Sequence, residues 1–100
     1  MLSGEYAEYF LHGYQENPDV PGTMMIGGTC KHFVANSMEK SCDDGICHGR
    51  EDFDAIVSLR DLVDSYLPPF QQCVTKGKAA GLMCSCKVLP GAIRFPPVLS

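Results

Sequence analysis

The sequence predicts an α/β fold in the order helix, strand, long loop, helix, strand, with the two strands and the helix between them forming one βαβ unit. Three observations carry that prediction. Apolar residues recur at helical spacing near both ends of the chain, two apolar runs lack the alternation of a half-wet strand, and Pro- and Gly-rich stretches separate these segments. A βαβ connection of this kind is right-handed in nearly every known case.

The first helix is expected over residues 4–15. Ser3 can cap it, Glu5 and Glu8 sit near its positive end, and Tyr6, Phe10, Leu11 and Tyr14 share a stripe. Residues 17–22, with Pro18, Pro21 and Gly22, form a turn-rich connection. The run 23–30, from Thr23 through Met24, Met25 and Ile26 to Cys30, reads as a strand buried on both faces, closed by Lys31-His32. Residues 35–54 turn polar and irregular, including Asp43-Asp44-Gly45 and the charged group from His48 to Asp52, and read as a long surface loop.

The second helix is the clearest element. Ser58 and Asp61 make a Ser-x-x-Asp variant of the capping box, and Leu59, Leu62, Val63, Tyr66, Leu67, Phe70, Cys73 and Val74 fall on one stripe. Pro68-Pro69 must interrupt it with a kink or divide it into two abutting helices, because neither residue donates a backbone hydrogen bond. Lys76-Gly77-Lys78 supplies a glycine stop with cations at the negative end. Residues 79–84 then read as a second buried strand.

Two parallel strands and two helices leave a sheet edge open and a sheet face partly bare, so the pattern reads as a piece of a larger α/β sheet or barrel. Composition narrows the function. The 100 residues are 45% hydrophobic and 20% charged, which excludes a disordered chain, and 8 Lys plus Arg against 12 Asp plus Glu give a net charge of -4. That sign is wrong for gripping a nucleic-acid backbone. No apolar run is long enough to cross a bilayer, and residues 1–5 have neither the basic start nor the apolar stretch of a secretory signal, so no membrane partner is expected.

Lys31 and His32 stand out by position, since ligands in parallel α/β proteins bind at the carboxyl ends of strands. A cation beside an imidazole can hydrogen-bond sugar hydroxyls, carboxylates or phosphates; the bland alternative is a strand end reaching solvent. Met83-Cys84-Ser85-Cys86-Lys87 ends the second strand and is expected on the same rim. Cys42 and Cys47 with His48 could offer zinc up to three ligands, but no fourth is evident, and a small disulfide or free thiols fit better. Cys30 and Cys73 fall on buried stripes and read as small core residues. No phosphate-binding glycine loop, dinucleotide fingerprint or G-x-S-x-G elbow occurs, and no cofactor is implied.

Three stretches together resemble glycoside hydrolase family 3, and within it the fungal and plant type β-xylosidases. Residues 2–7 look like that family's L-S-G-E-Y-A helix start, and Thr29-Cys30-Lys31-His32-Phe33 looks like its T-C-K-H-F strand end. Phe53-Asp54-Ala55, Val57-Ser58, Asp61-Leu62, Tyr66-Leu67-Pro68-Pro69-Phe70 and Cys73-Val74 are similar to its F-D-A-x-V-S-x-x-D-L-x-x-x-Y-L-P-P-F-x-x-C-V run. The resemblance extends over residues 2–91, in the family's order.

It implies a partial (β/α)8 TIM-like barrel, with residues 1–91 a fragment of the N-terminal catalytic barrel domain and 92–100 a divergent irregular tail resembling a frameshift, a misassigned exon or a decayed gene. It implies a retaining β-xylosidase or β-glucosidase, secreted, acting on β-linked oligosaccharides in xylan degradation. Lys31 and His32 match the pair that holds hydroxyls of the sugar beside the scissile bond, and Met83, Cys84 and Ser85 match the start of an M-C-S-Y-N segment. Cys86 stands where the family has a sugar-contacting Tyr, and Lys87 where it has Asn. The implied substrate-binding set is Lys31, His32, Met83 and Cys86. The family's Asp nucleophile follows on a later strand and its general acid lies farther on, so no catalytic residue is assigned and the chain alone is expected to be inactive. The competing reading is a cysteine-rich metal-binding or interaction module built on Cys42, Cys47, His48, Cys84 and Cys86; a third is a small α/β binding or regulatory domain.

Overall fold

The computed structural model describes residues 2–49 and 56–85. Its order is α1 (Leu2–Gln15), β1 (Thr29–Phe33), β2 (Lys40–Asp43), β3 (Ile46–Gly49), α2 (Leu59–Asp61), a π-helical turn (Leu62–Tyr66), α3 (Leu67–Thr75) and β4 (Gly81–Cys84). β1 and β4 pair in parallel, and β2 and β3 form a separate antiparallel hairpin. The expected parallel pair around a helix is therefore present, as a small mixed helix and strand unit.

Helix α1 begins two residues earlier than expected, with Ser3 inside its first turn rather than capping it. Its buried face is Gly4, Leu11 and Gln15, not the aromatic stripe. Tyr6, Phe10 and Tyr14 instead stack along an exposed side, with centroids 6.0 and 5.6 Å apart. What α1 packs against explains the choice: α3 comes close enough that a Cβ on Gly4 would meet the Gln72 side chain, and Gln72 donates to Glu8 at 2.7 Å.

The strand expected over 23–30 is displaced toward the C-terminus. Thr23 turns back onto Val20, Met24 bridges Glu16, and the backbone N–H of Met25 donates to the Gln15 carbonyl. Met24, Met25 and Ile26 are exposed. The strand can start only where β4 offers a partner, and the register is Thr29 with Gly81 and Cys30 with Leu82. Lys31 and His32 consequently lie within β1 rather than closing it. Neither β1 nor β4 is buried on both faces, because no described element covers the second face of this pair.

The long loop expected over 35–54 contains the hairpin. Asp44 and Gly45 both have positive φ, 47° and 79°, the backbone a two-residue type I′ turn requires. Every residue of β2 and most of β3 are exposed, so no apolar alternation marked them as strands. Residues 50–54 of that expectation lie outside the described residues, as do 86–100.

The second helix keeps its expected start. Ser58 is extended, its Oγ accepts from the Asp61 N–H at 3.0 Å and donates to Asp61 Oδ2 at 2.7 Å. The helix passes Pro68-Pro69 without breaking. One turn widens to the π form just before them, and the Leu67 N–H reaches the Leu62 carbonyl. A proline ring clashes with the carbonyl four residues back; widening the turn there relieves the crowding, leaving the prolines in the first turn of α3. At the far end Lys78, not Gly77, takes the left-handed conformation (φ 53°). Gly77 is required for close approach instead, since a Cβ there would sit 2.8 Å from the Cys73 carbonyl oxygen.

Two small packing centres hold the unit. Val34, Ala35 and Leu62 form one, with Phe33, Val57, Tyr66, Leu67 and Phe70 around it; Phe33 and Phe70 meet edge to face at 5.1 Å. Leu11, Gln15 and Cys73 form the other, between α1 and α3. Cys30 and Cys73 are joined in a disulfide, which corrects their reading as plain core residues. Both fall on inward-facing stripes of the sequence, and two inward-facing thiols from packed elements are positioned to bond. Cys42 and Cys47, directly opposite in the hairpin, are also joined.

Candidate functional site

The parallel pair ends at an irregularity that decides the site. Cys30 faces Leu82 and Phe33 faces Cys84, so two residues of β1, Lys31 and His32, stand against one of β4, Met83. This is the count of a β-bulge, a device that re-aims side chains and is over-represented next to active sites. Beyond it the Ser85 N–H donates to the Phe33 carbonyl, closing the pair. Three of the four residues singled out from the sequence are thus brought to one register position. The fourth, Cys86, lies outside the described residues.

Lys31 is exposed and His32 half-buried. Asn36 Nδ2 lies 3.3 Å from His32 Nδ1 and 3.3 Å from Glu39 Oε1. The chain returns to make that contact because Ala35 takes a left-handed conformation (φ 58°) directly after β1. Asn36 Oδ1 is buried without a hydrogen-bond partner. Met83 is 49% exposed, and the Cys84 thiol is free and exposed.

A cavity of about 610 Å³ lies elsewhere: between α1, the start of β1 and α3, with Tyr6, Phe10, Leu11, Phe70 and Cys73 on its walls. Lys31 is the one charged residue among its described lining, and neither His32 nor Met83 reaches it. The helix side of that cavity is mostly apolar and aromatic, whereas the strand end brings a cation, an imidazole and an amide together. We take the strand end as the candidate site on that ground, with Lys31 shared between the two.

The metal-module residues are dispersed. Cys42 and Cys47 are spent on a disulfide and offer no thiolate, His48 pairs with Ser41 in the hairpin, and Cys84 belongs to the other sheet. Among the described residues no group of three or more His, Cys, Asp or Glu is placed to hold a metal ion. None of the described helices is long and apolar enough to cross a membrane. Asn36 and Gln15 were not anticipated. Asn36 follows His32 by four residues, but in a segment that read as loop that spacing carries no meaning. Gln15 looked like an ordinary helix end.

No family model matches the chain, and no solved structure matches it. Curated proteins do. The chain is 34% identical over 107 residues to Probable beta-D-xylosidase 6 of Arabidopsis thaliana, a match covering 87% of this chain and 13% of that protein. It is 35% identical over 92 residues to Beta-xylosidase/alpha-L-arabinofuranosidase 1 of Medicago sativa subsp. varia, covering 91% and 11%. A probable exo-1,4-beta-xylosidase of Aspergillus clavatus is 42% identical over 71 residues, covering 71% and 9%.

These relatives place the chain among sequences similar to glycosidases. More narrowly, it is a homologue of one segment of the plant and fungal β-xylosidases, which bears out the resemblance read from its sequence. The chain spans 9 to 13% of the length of these relatives.

Proposed function

We propose that the chain is the sugar-positioning segment of a retaining β-glycosidase of glycoside hydrolase family 3, acting on β-xylosides in the intact protein. The bulge that sets Lys31 and His32 against Met83 carries this reading. In it β1 and β4 are neighbouring strands of a (β/α)8 barrel, with residues 1–91 part of the N-terminal catalytic domain, and the protein is secreted. Sugar hydroxyls are recognised by donors and acceptors at fixed positions. The Lys31 ammonium has three donors and no acceptor, and the His32 imidazole adds a fixed direction. Such groups hold the pyranose ring where a carboxylate attacks the anomeric carbon and a second carboxyl group protonates the leaving oxygen. Lys31 and His32 transfer no proton in that scheme; they orient the ring and strengthen their hydrogen bonds as charge develops. Met83 lies beside them across the bulge, and the family resemblance assigns Cys86 to the same subsite.

The segment alone positions a sugar and cleaves nothing, because the two carboxyl groups belong to the remainder of the protein. The test is an assay of the purified chain on an aryl β-xyloside, paired with a methyl β-xyloside titration followed by NMR. No turnover is expected. Resonances of Lys31, His32 and Met83 should shift, and Lys31→Ala should weaken binding at least about tenfold, the worth of one charge-assisted hydrogen bond. Turnover by the chain, or a titration that leaves those three residues unmoved, sinks the proposal.

A further inference from the structure

We infer that Asn36 is a positioning residue that holds His32 in the neutral tautomer carrying its proton on Nε2. An amide nitrogen only donates and an ionised carboxylate only accepts, so the 3.3 Å approach of Asn36 Nδ2 to Glu39 Oε1 fixes which way the amide faces. Turned over, Asn36 Oδ1 would confront the Glu39 oxygen with no proton between them. The same Nδ2 is 3.3 Å from His32 Nδ1, which must therefore supply a lone pair. A neutral imidazole has a single N–H, and it is left on Nε2.

The orphaned carbonyl is what this orientation costs. Asn36 Oδ1 is buried with no partner, and the two acceptors that its nitrogen serves at once offset that loss. His32 lies in the bulge with its Nδ1 turned to Asn36, which leaves Nε2 to meet a ligand. An imidazole so held donates to a hydroxyl oxygen and cannot accept from it. This adds to the reading of Lys31 and His32 as sugar-holding groups, and rests on it for the ligand's identity: both residues then present donors, and the sugar oxygens between them must act as acceptors. The same logic orients histidines that bind metals, where a partner on one ring nitrogen fixes what the other offers.

The tautomer is measurable without any sugar. The full chain, ¹⁵N-labelled in its three histidines, is examined by long-range ¹H–¹⁵N NMR at about pH 8.5, where an ordinary imidazole is neutral. The His32 signal is identified by its loss in His32→Gln. The Nε2–H form is expected in at least tenfold excess. Asn36→Ala should return His32 to the mixture of a free imidazole, and the near-isosteric Asn36→Asp, whose side chain only accepts, should move the proton to Nδ1. A wild-type His32 protonated on Nδ1, or populations unchanged in Asn36→Asp, overturns the inference. Failure of xyloside binding with the tautomer as expected tells instead against the proposed function.

Discussion

The Gln15 amide joins four backbone groups from two separate connections. Its Oε1 accepts from Gly28 and Ala80, and its Nε2 donates to the carbonyls of Gly77 and Lys78, at 2.8 to 3.3 Å. One buried side chain thus ties the entry to β1 to the turn between α3 and β4, and so sets where the strand pair begins. Ala80 keeps a second partner, the Gly28 carbonyl, and exposed Lys78 can turn to water, but Gly28 and Gly77 are buried. Gln15→Leu should therefore cost about 2–4 kcal/mol, from unpaired buried backbone polar groups. Urea unfolding followed by circular dichroism checks it, and a loss below about 0.5 kcal/mol would show that water takes the amide's place. No sequence pattern reveals this role, because the partners of Gln15 are 13 to 65 residues away. Lys31 and His32, by contrast, stand out in the sequence as a polar pair after an apolar run, although the structure sets them within β1 rather than at its close.

Among the elements, the parallel pair and the capped second helix followed from apolar spacing and from Ser58, both local signals. The π turn did not. Proline chemistry requires a defect near residue 68 but leaves open a kink, a break or a widened turn; packing of Leu62, Tyr66 and Phe70 around Val34 and Ala35 selects the one that keeps the helix against β1. The hairpin was concealed by its lack of an apolar face, although Asp44-Gly45 is a turn signature that could have revealed it. Its disulfide closes a separation of 5 residues and that between β1 and α3 one of 43. Loop-closure entropy makes these unequal, about 2 kcal/mol for the first and about 4 kcal/mol for the second. Cys30→Ala should accordingly lower the unfolding midpoint well beyond Cys42→Ala. Equal losses in the two variants would mean that cross-linking acts through something other than the unfolded chain.

At the scale of the molecule, the described residues bury little. Leu11, Val34, Ala35, Leu62 and Cys73 are the buried apolar residues among them, while Tyr6 is 70% exposed and Ile56 90%. A chain spanning 9 to 13% of its relatives' length carries surfaces that the rest of such a protein would cover, and the row of Tyr6, Phe10 and Tyr14 beside the apolar cavity is the clearest of them. Exposed patches of this kind drive association. The isolated chain should bind the dye ANS and sediment as a concentration-dependent oligomer at tens of micromolar. A monomer that binds no dye would mean that these aromatics are covered in solution.

The sequence by itself determined the α/β class, the parallel strand pair and the capped helix, because each depends on residue types at short spacing, which local chemistry reads directly. Tertiary structure alone decided where β1 starts, which face of α1 is buried, that Cys30 bonds Cys73, and that Asn36 returns to His32. Those depend on which distant backbone supplies the missing hydrogen bonds and which elements approach closely enough to exclude a Cβ.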